Sequence, residues 1–249
     1  MRRQWLPLIV WSYGGGVQSA AIAVLIADGR LPRPDFAVIA DTGREPGSTW
    51  SFLRESVQPL LNQVGVVVEV APHDLATVDL YSGNGDLLIP AFTRDGKMPT
   101  FCSTEWKQRV VRRWVRQRTK DAVTVWLGIS VDEVHRAKNS GDALYRNHYP
   151  LLYDVPLRRS ECIAICRAAG IGTPPRSSCW MCPHRSDVEW SALTTEEFGK
   201  AIELDNEIRQ RDTAGGVFLH RSRTPLAEVD LKPAQGGLFD ACDSGYCWT

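Results

Sequence analysis

Residues 8–25, LIVWSYGGGVQSAAIAVL, form the stretch that decides the predicted fold. Their apolar start is typical of a short buried strand, and the segment rich in Ala, Val and Leu from Val17 onward predicts a helix. Three glycines at 14–16 lie between the two. A strand that turns through glycines into a helix start presents bare N–H groups and the positive end of the helix dipole at one point. The stretch therefore predicts a phosphate-binding turn, and the alternative is a tight connection that binds no ligand.

The composition of the 249-residue chain is ordinary for a globular enzyme, with 43% hydrophobic and 23% charged residues. Its length is sufficient for one sizeable core, or for one core with a small appended module. Lys plus Arg and Asp plus Glu each number 29, so any charged binding surface must be local. The apolar stretch after Arg2 and Arg3 is too short for a signal peptide, and no segment reaches membrane-spanning length. We therefore expect a cytoplasmic protein without a membrane partner.

Further apolar runs predict a sheet. The runs at 36–40, 64–70 and 123–127 are continuous rather than alternating, and segment 48–61 has a helical apolar face. Continuous apolar strands separated by helices are typical of a parallel sheet that is covered on both sides. We predict a doubly wound α/β fold, which places its ligands at the carboxyl ends of the strands. Residues 72–100, rich in Pro, Gly, Asn and Asp, are expected to form a long surface excursion.

Asp41 and Thr42 follow the second predicted strand, where their side chains could meet a nucleotide that lies over the glycine turn. The same residue types also suit a helix N-cap or a turn. A helix is predicted from Thr104, and seven basic residues lie between 107 and 120. This basic helix is either a solvated face or a docking surface for nucleic-acid phosphates.

Seven cysteines in a cytoplasmic chain are more typical of metal or redox ligands than of a disulfide framework. Cys179 and Cys182 form a CxxC motif whose two thiols can reach one zinc ion or iron–sulfur cluster, or can perform redox chemistry. A pair does not fill a tetrahedral site, so further ligands must come from elsewhere in the chain. Cys162 and Cys166, four apart on a predicted helix, are expected to be buried core thiols.

Five blocks in order resemble the PAPS reductase-like family of the adenine-nucleotide alpha-hydrolase (PP-loop) superfamily. The turn S-x-G-G-G-x-x-S at 12–19 is similar to the SGGxDS pyrophosphate loop, with Gln18 in its acidic position. The other blocks are ADTGREP at 40–46, CSTEWK at 102–107, GISVDEVHR at 128–136 followed by HYPL at 148–151, and FLHRS at 218–222. The resemblance implies a PP-loop, Rossmann-like nucleotide-binding domain over residues 1–149. It also implies a smaller metal-binding appendage over residues 150–249.

The resemblance also implies roles for individual residues. Pyrophosphate contacts would come from Ser12, Gly14, Gly15, Gly16 and Ser19, nucleotide contacts from Asp41 and Thr42, and anion contacts from Lys107 and Arg136. Asp132 is a weaker candidate for Mg²⁺. A 4Fe-4S cluster, with zinc as the alternative, would be held by Cys102, Cys179 and Cys182. The fourth position stays open between Cys242, Cys247 and an exogenous sulfide, and Ser103 stands where the iron–sulfur APS reductases carry a second cysteine.

The function implied by the resemblance is that of an ATP-dependent, pyrophosphate-releasing sulfurtransferase. ATP with Mg²⁺ would adenylate a nucleic acid or nucleobase, which binds through the basic helix. A cluster-bound or cysteine-bound sulfur, supplied by a sulfur-donor protein, would then displace AMP. The alternative is a genuine APS or PAPS reductase, in which a tail cysteine such as Cys247 attacks the sulfate sulfur of adenylyl sulfate; the tail lacks the ECG-x-H ending of those enzymes. A third hypothesis is a non-catalytic nucleotide- and cluster-binding subunit of a larger complex.

Overall fold

The computed structural model describes residues 7–212 and 216–231, and its central feature is a five-stranded sheet. The sheet strands are β1 (Leu8–Ser12), β2 (Phe36–Ala40), β3 (Val68–Ala71), β6 (Val123–Trp126) and β7 (Tyr145–His148). They lie in the order β3-β2-β1-β6-β7, and every neighbouring pair is parallel. Two short strands, β4 (Phe92–Thr93) and β5 (Gly96–Lys97), form a separate antiparallel pair. The predicted α/β class with a parallel sheet is confirmed.

Eight α-helices occur in the described part of the chain. They are α1 (Val17–Ala27), α2 (Gly47–Phe52), α3 (Gln58–Asn62), α4 (Arg109–Arg118), α5 (Pro150–Tyr153), α6 (Arg159–Ala168), α7 (Asp187–Ser191) and α8 (Thr195–Arg211). Turns of π-helix at Leu53–Val57 and Thr104–Gln108 precede α3 and α4, and 3-10 turns lie at His73–Leu75, Val131–Arg136 and Leu226–Glu228. Within these residues, none of the helices combines the length and the apolar character needed to cross a bilayer.

The strand order places the glycine turn at the switch point of the sheet. From β1 the chain moves outward through β2 to β3, and it then returns to the other side of β1 to form β6 and β7. In an open parallel sheet, the crevice at the carboxyl ends of the two strands on either side of this reversal is where ligands bind. The glycine turn directly follows β1 and lies at that crevice, as the sequence predicted.

The described chain divides into two compact units built from interleaved segments. The first unit combines the residues up to Asp41 with Gly47–Leu75 and Gln108–Ser177, and it contains the five-stranded sheet. The second unit combines Thr42–Pro46, Ala76–Lys107 and the residues from Ser178 onward. This division differs from the predicted boundary between 149 and 150. It differs because α6, which follows that boundary, packs against α1 of the sheet unit.

The core of the first unit is organised around α1. Every residue of this helix from Val17 to Ile26 is buried, and all of them except Gln18 and Ser19 are apolar. Cys162 and Cys166 of α6 are also fully buried in this core, which confirms that they are core thiols. Burial raises the pKa of the Cys162 thiol to about 12 and that of the Cys166 thiol to about 11, so both stay protonated at neutral pH.

The prediction that residues 72–100 form a surface excursion is wrong. This segment supplies core residues of the second unit, where Leu80, Leu88 and Ile89 are buried in one cluster with Trp106. Local hydrogen bonds replace regular secondary structure here, such as that from the Leu88 N–H to the Leu80 carbonyl. An irregular segment has no hydrophobic period, so its buried residues could not be distinguished from exposed ones in the sequence.

Two strand predictions differ from the structure. The third strand begins at Val68 rather than at Val64, because residues 64–66 end the preceding helix: the N–H groups of Val64 and Val66 both donate to the Leu61 carbonyl, and Gly65 between them has a φ of +71°. The strand Tyr145–His148 was not predicted, since its sequence, YRNH, is polar. It lies at the edge of the sheet, where a strand has one strand neighbour and tolerates polar residues.

Candidate functional sites in the two units

The glycine turn of the first unit has the backbone form of an anion site. Gly15 has a φ of +75°, and the N–H of Gly14 donates to the Ser19 hydroxyl at 2.9 Å. The N–H groups of Gly15 and Gly16 make no hydrogen bond to any residue that the structure describes. Gly16 is the N-cap of α1 and no side chain caps this end of the helix. Two free N–H groups at an uncapped helix start can therefore bind a phosphate oxygen.

Close packing around the turn makes glycine necessary there. A Cβ at Gly15 would lie 2.8 Å from the Thr49 methyl carbon and 3.2 Å from the Ser177 Cβ, and a Cβ at Gly16 would lie 2.9 Å from the Ser177 hydroxyl. Ser177, the side chain nearest to Gly16, is small and polar, and its hydroxyl can donate a hydrogen bond. Ser12 and Ser19, the other predicted phosphate contacts, are buried at the end of β1 and in the first turn of α1.

Gln18, which replaces the acidic residue of the SGGxDS pattern, belongs to a buried polar network. Its side-chain N–H groups donate to the Glu133 carboxylate at 3.1 Å and to the Ser130 hydroxyl at 3.3 Å. Arg136 forms a 2.9 Å ion pair with the same Glu133 carboxylate, and the side chains of Arg136 and Glu133 are both buried. The negative charge near position 18 therefore belongs to Glu133, a residue that was not among the predicted site residues. Its signal was the D-E pair of the block at 128–136.

Asp41 and Asp132, two other candidate site residues of the first unit, take part in hydrogen bonds that involve the backbone. Asp41 is partly exposed at the end of β2, and its N–H donates to the Ala71 carbonyl at the end of β3. Asp132, the weaker Mg²⁺ candidate, is exposed and accepts the N–H of Arg159 at 3.1 Å, so its carboxylate holds the start of α6. Asp41 thus lies at the carboxyl edge of the sheet, as predicted.

In the second unit, Cys102, Cys179 and Cys182 line one small cavity with a volume of about 30 Å³. The CxxC motif forms a tight turn in which the Cys182 N–H donates to the Cys179 carbonyl at 3.0 Å. The other residues that line the cavity include Ile89, Pro90, Trp106, Lys107, Met181 and His184. Among the described residues, no three His, Cys, Asp or Glu side chains already surround a single metal position.

The loop after β2 reaches this cysteine cavity. The Thr42 hydroxyl lies 3.6 Å from the Cys179 sulfur, and Thr42 is fully buried. Glu45 from the same loop forms a 2.9 Å ion pair with Lys107, and both side chains are nearly buried. The loop is held in place because the Trp180 N–H donates to the Arg44 carbonyl at 2.8 Å. The ADTGREP block therefore contributes Thr42 and Glu45 to the cysteine site, a placement that the sequence did not predict.

The basic helix, α4, uses much of its charge within the first unit. Arg112 pairs with Asp142 and Arg118 pairs with Glu69, while Arg113 and Arg116 donate to backbone carbonyls. The guanidinium groups of this run thus fasten the helix to neighbouring segments. The tail cysteines Cys242 and Cys247 lie outside the described residues.

Comparisons with known proteins give distant matches among the solved structures. No protein-family model matches the chain, and no curated protein matches it significantly. The crystal structure of phosphoadenylyl-sulfate (PAPS) reductase from Candida auris, in complex with phosphate, is similar over 71% of this chain and 83% of that one. The TM-score is 0.47 and the sequence identity is 11%.

Proposed function

We propose that the chain is an ATP-dependent, PP-loop-type sulfurtransferase of the PAPS reductase-like family that carries a 4Fe-4S cluster and acts on a nucleic acid or nucleobase. The observation that carries this proposal is the position of Cys102. It lines the same cavity as the CxxC pair, together with Lys107. Two segments that are remote in sequence, 102–107 and 179–182, thus bring three thiols and a cation to one cavity.

The donor set fits an iron–sulfur cluster. Three thiols are the soft ligands that such clusters require, and Cys102, Cys179 and Cys182 would hold it. In a 4Fe-4S cluster each thiolate binds a different iron atom, whereas a single zinc ion needs all of its ligands around one point. Zinc stays the alternative metal for the same three thiols. When bound, the cluster would supply an iron atom that can hold sulfide for transfer.

The chain's own residues would prepare both substrates. At the glycine turn, the N–H groups of Gly15 and Gly16 would bind the pyrophosphate of ATP and stabilise its developing charge as it leaves. In the second unit, the positive charge of the Lys107 ammonium would lie beside the cysteine thiols. Its ion pair with Glu45 fixes where that charge lies. Arg136, fixed by Glu133, would contact the nucleotide as a second cation.

The test uses anaerobically purified protein. We expect iron and acid-labile sulfide in the sample, a broad absorbance band in the blue, and release of pyrophosphate from ATP and Mg²⁺. Replacement of Cys102, Cys179 or Cys182 by Ala should remove the iron, whereas Cys166→Ala, which changes a core thiol, should retain it. A colourless sample that contains zinc would refute the cluster. Release of sulfite from APS or PAPS without pyrophosphate from ATP would refute the transferase in favour of the reductase.

A further inference from the structure

A second cavity in the first unit contains none of the residues assigned above to the nucleotide or the cluster. It runs along β7 at the edge of the sheet and is bounded by the loop before this strand and by α5. Its lining residues are Asn139, Ser140, Gly141, Asp142, Ala143, Arg146, Asn147, His148, Tyr149 and Tyr153. Because it extends to the end of β7, it reaches the same carboxyl edge of the sheet as the glycine turn.

One wall of this cavity is a fixed aromatic surface. Tyr153 is 65% exposed, and its ring centre lies 5.8 Å from that of His148 and 6.3 Å from that of Tyr149. His148 is oriented by a 2.6 Å contact between its Nε2 and the Asp154 carboxylate, and by the Trp126 ring 6.4 Å away. An exposed aromatic ring with rigid neighbours can stack on any nucleic-acid base, whatever the sequence.

Two positively charged side chains lie at or next to this cavity: Arg146 lines it, and Lys138 directly precedes the lining residue Asn139. Arg146 and Lys138 are exposed, and neither forms an ion pair with any residue that the structure describes. Two neighbouring carboxylates are already engaged, since Asp142 pairs with Arg112 and Asp154 contacts His148. The positive charges of Arg146 and Lys138 are thus complementary to an anionic partner such as the phosphate backbone of a nucleic acid.

The loop that carries Lys138 is held to the edge strand. The Lys138 N–H donates to the Tyr149 hydroxyl at 2.8 Å, and this hydroxyl donates to the Lys138 carbonyl at 2.7 Å. The Asn147 side chain donates to the same carbonyl at 2.9 Å. A ligand would therefore meet a cavity whose loop is already ordered, which reduces the entropy lost on binding.

We propose that this cavity binds a short single-stranded segment of nucleic acid, with one base stacked on Tyr153 and phosphates on Arg146 and Lys138. The proposal rests on the sulfurtransferase function above, because it identifies the acceptor as a nucleic acid and gives it a site. It assigns acceptor binding to the edge of the sheet rather than to α4, whose arginines contact protein groups.

The test is binding of a short fluorescent single-stranded oligonucleotide, measured by anisotropy at several salt concentrations. Tyr153→Ala should weaken binding roughly 5- to 150-fold and leave the salt dependence unchanged, while Tyr153→Phe, which keeps the ring, should bind like the unaltered protein. Arg146→Ala should lower the slope of log K against log salt by about 0.7, the value for one phosphate contact on a single strand. Arg30→Ala is the matched control, since this exposed arginine follows α1 and lies at the amino end of the strands.

Several results would overturn the inference. They are the absence of binding at low salt, unchanged binding by Tyr153→Ala, an unchanged salt slope for Arg146→Ala, and equal affinity for a duplex of the same length. Iron content and pyrophosphate release are measured on the same samples. If these persist while the oligonucleotide fails to bind, only the acceptor site is refuted. If the oligonucleotide binds as expected but neither iron nor pyrophosphate is found, the proposed function is refuted instead.

Discussion

Replacement of Gly15 by Ala should damage the glycine turn much more than the same change at Gly14. An alanine at a φ of +75° costs about 1–2 kcal/mol in backbone strain. Its Cβ would also lie 2.8 Å from the methyl carbon of Thr49, which is itself buried and cannot move away. Overpacking of this kind costs about 1–3 kcal/mol, so the free energy of unfolding should fall by about 2–5 kcal/mol. At Gly14 the nearest atom to an added Cβ is the Ser19 hydroxyl at 3.4 Å, an ordinary contact.

Urea unfolding followed by tryptophan fluorescence measures these costs, and calorimetry with pyrophosphate measures the function of the turn. Thr49→Ser separates the two contributions, because it removes the methyl group while leaving the backbone strain. In that background the cost of Gly15→Ala should be about 1–3 kcal/mol smaller than in the unaltered protein. Equal costs for Gly14→Ala and Gly15→Ala, or an equal cost of Gly15→Ala in both backgrounds, would refute this account of the turn.

Three further predictions concern buried groups. Glu133→Ala should lower the free energy of unfolding by about 3–5 kcal/mol, because it leaves the buried Arg136 guanidinium without its carboxylate. Asp205→Ala should cost about 2–6 kcal/mol, since the buried carboxylate accepts two backbone N–H groups at 2.9 and 3.0 Å that would each lose a partner. Cys162 and Cys166 should resist alkylation at pH 8 in the folded protein, as their raised pKa values keep them protonated. Because these pKa values exceed the unfolded value of about 8.5, the two thiols should also make stability fall as the pH rises from there toward 11.

Each of these has a control within the chain. Glu196→Ala removes a carboxylate whose pair with Lys200 is exposed, and it should leave urea unfolding unchanged. For Asp205, substitution by Asn keeps an oxygen acceptor and should cost less than Ala. Alkylation in urea should reach both core thiols at the rate of a free cysteine, and rapid labelling without urea would contradict their burial. Mass spectrometry of the alkylated peptides identifies which cysteine has reacted.

The parts of the fold that the sequence predicted are those with a local cause. The strand, glycine turn and first helix at residues 8–25 follow from an apolar run, three glycines and a helix-forming segment, and the structure has all three. The start of α8 has the same kind of local cause, a capping box in which Thr194 and Glu197 exchange side-chain to backbone hydrogen bonds. These signals depend on residues within one or two turns, so distant parts of the chain do not change their meaning.

The parts that could not be predicted depend on distant partners. The polar sequence of β7 becomes a strand only because β6 offers it a free edge, and the irregular segment 72–100 becomes core only because Trp106 and α8 meet it. Thr42 stands at the end of β2, where the sequence favours a nucleotide contact, yet its hydroxyl lies on the Cys179 sulfur. No short-range pattern distinguishes these outcomes, since each is decided by a residue that is remote along the chain.

Arg136 and Lys107, the two cations predicted to contact anions, share one feature that affects how strongly they can attract a phosphate. Arg136 and Lys107 each form an ion pair with a carboxylate that is itself buried, Glu133 and Glu45 respectively. Such a pair fixes the cation in place but cancels most of its long-range attraction for a phosphate. At the glycine turn, the N–H groups of Gly15 and Gly16 keep their positive potential, because no described residue accepts a hydrogen bond from them. Phosphate binding at the turn should therefore depend on its backbone N–H groups more than on the guanidinium of Arg136.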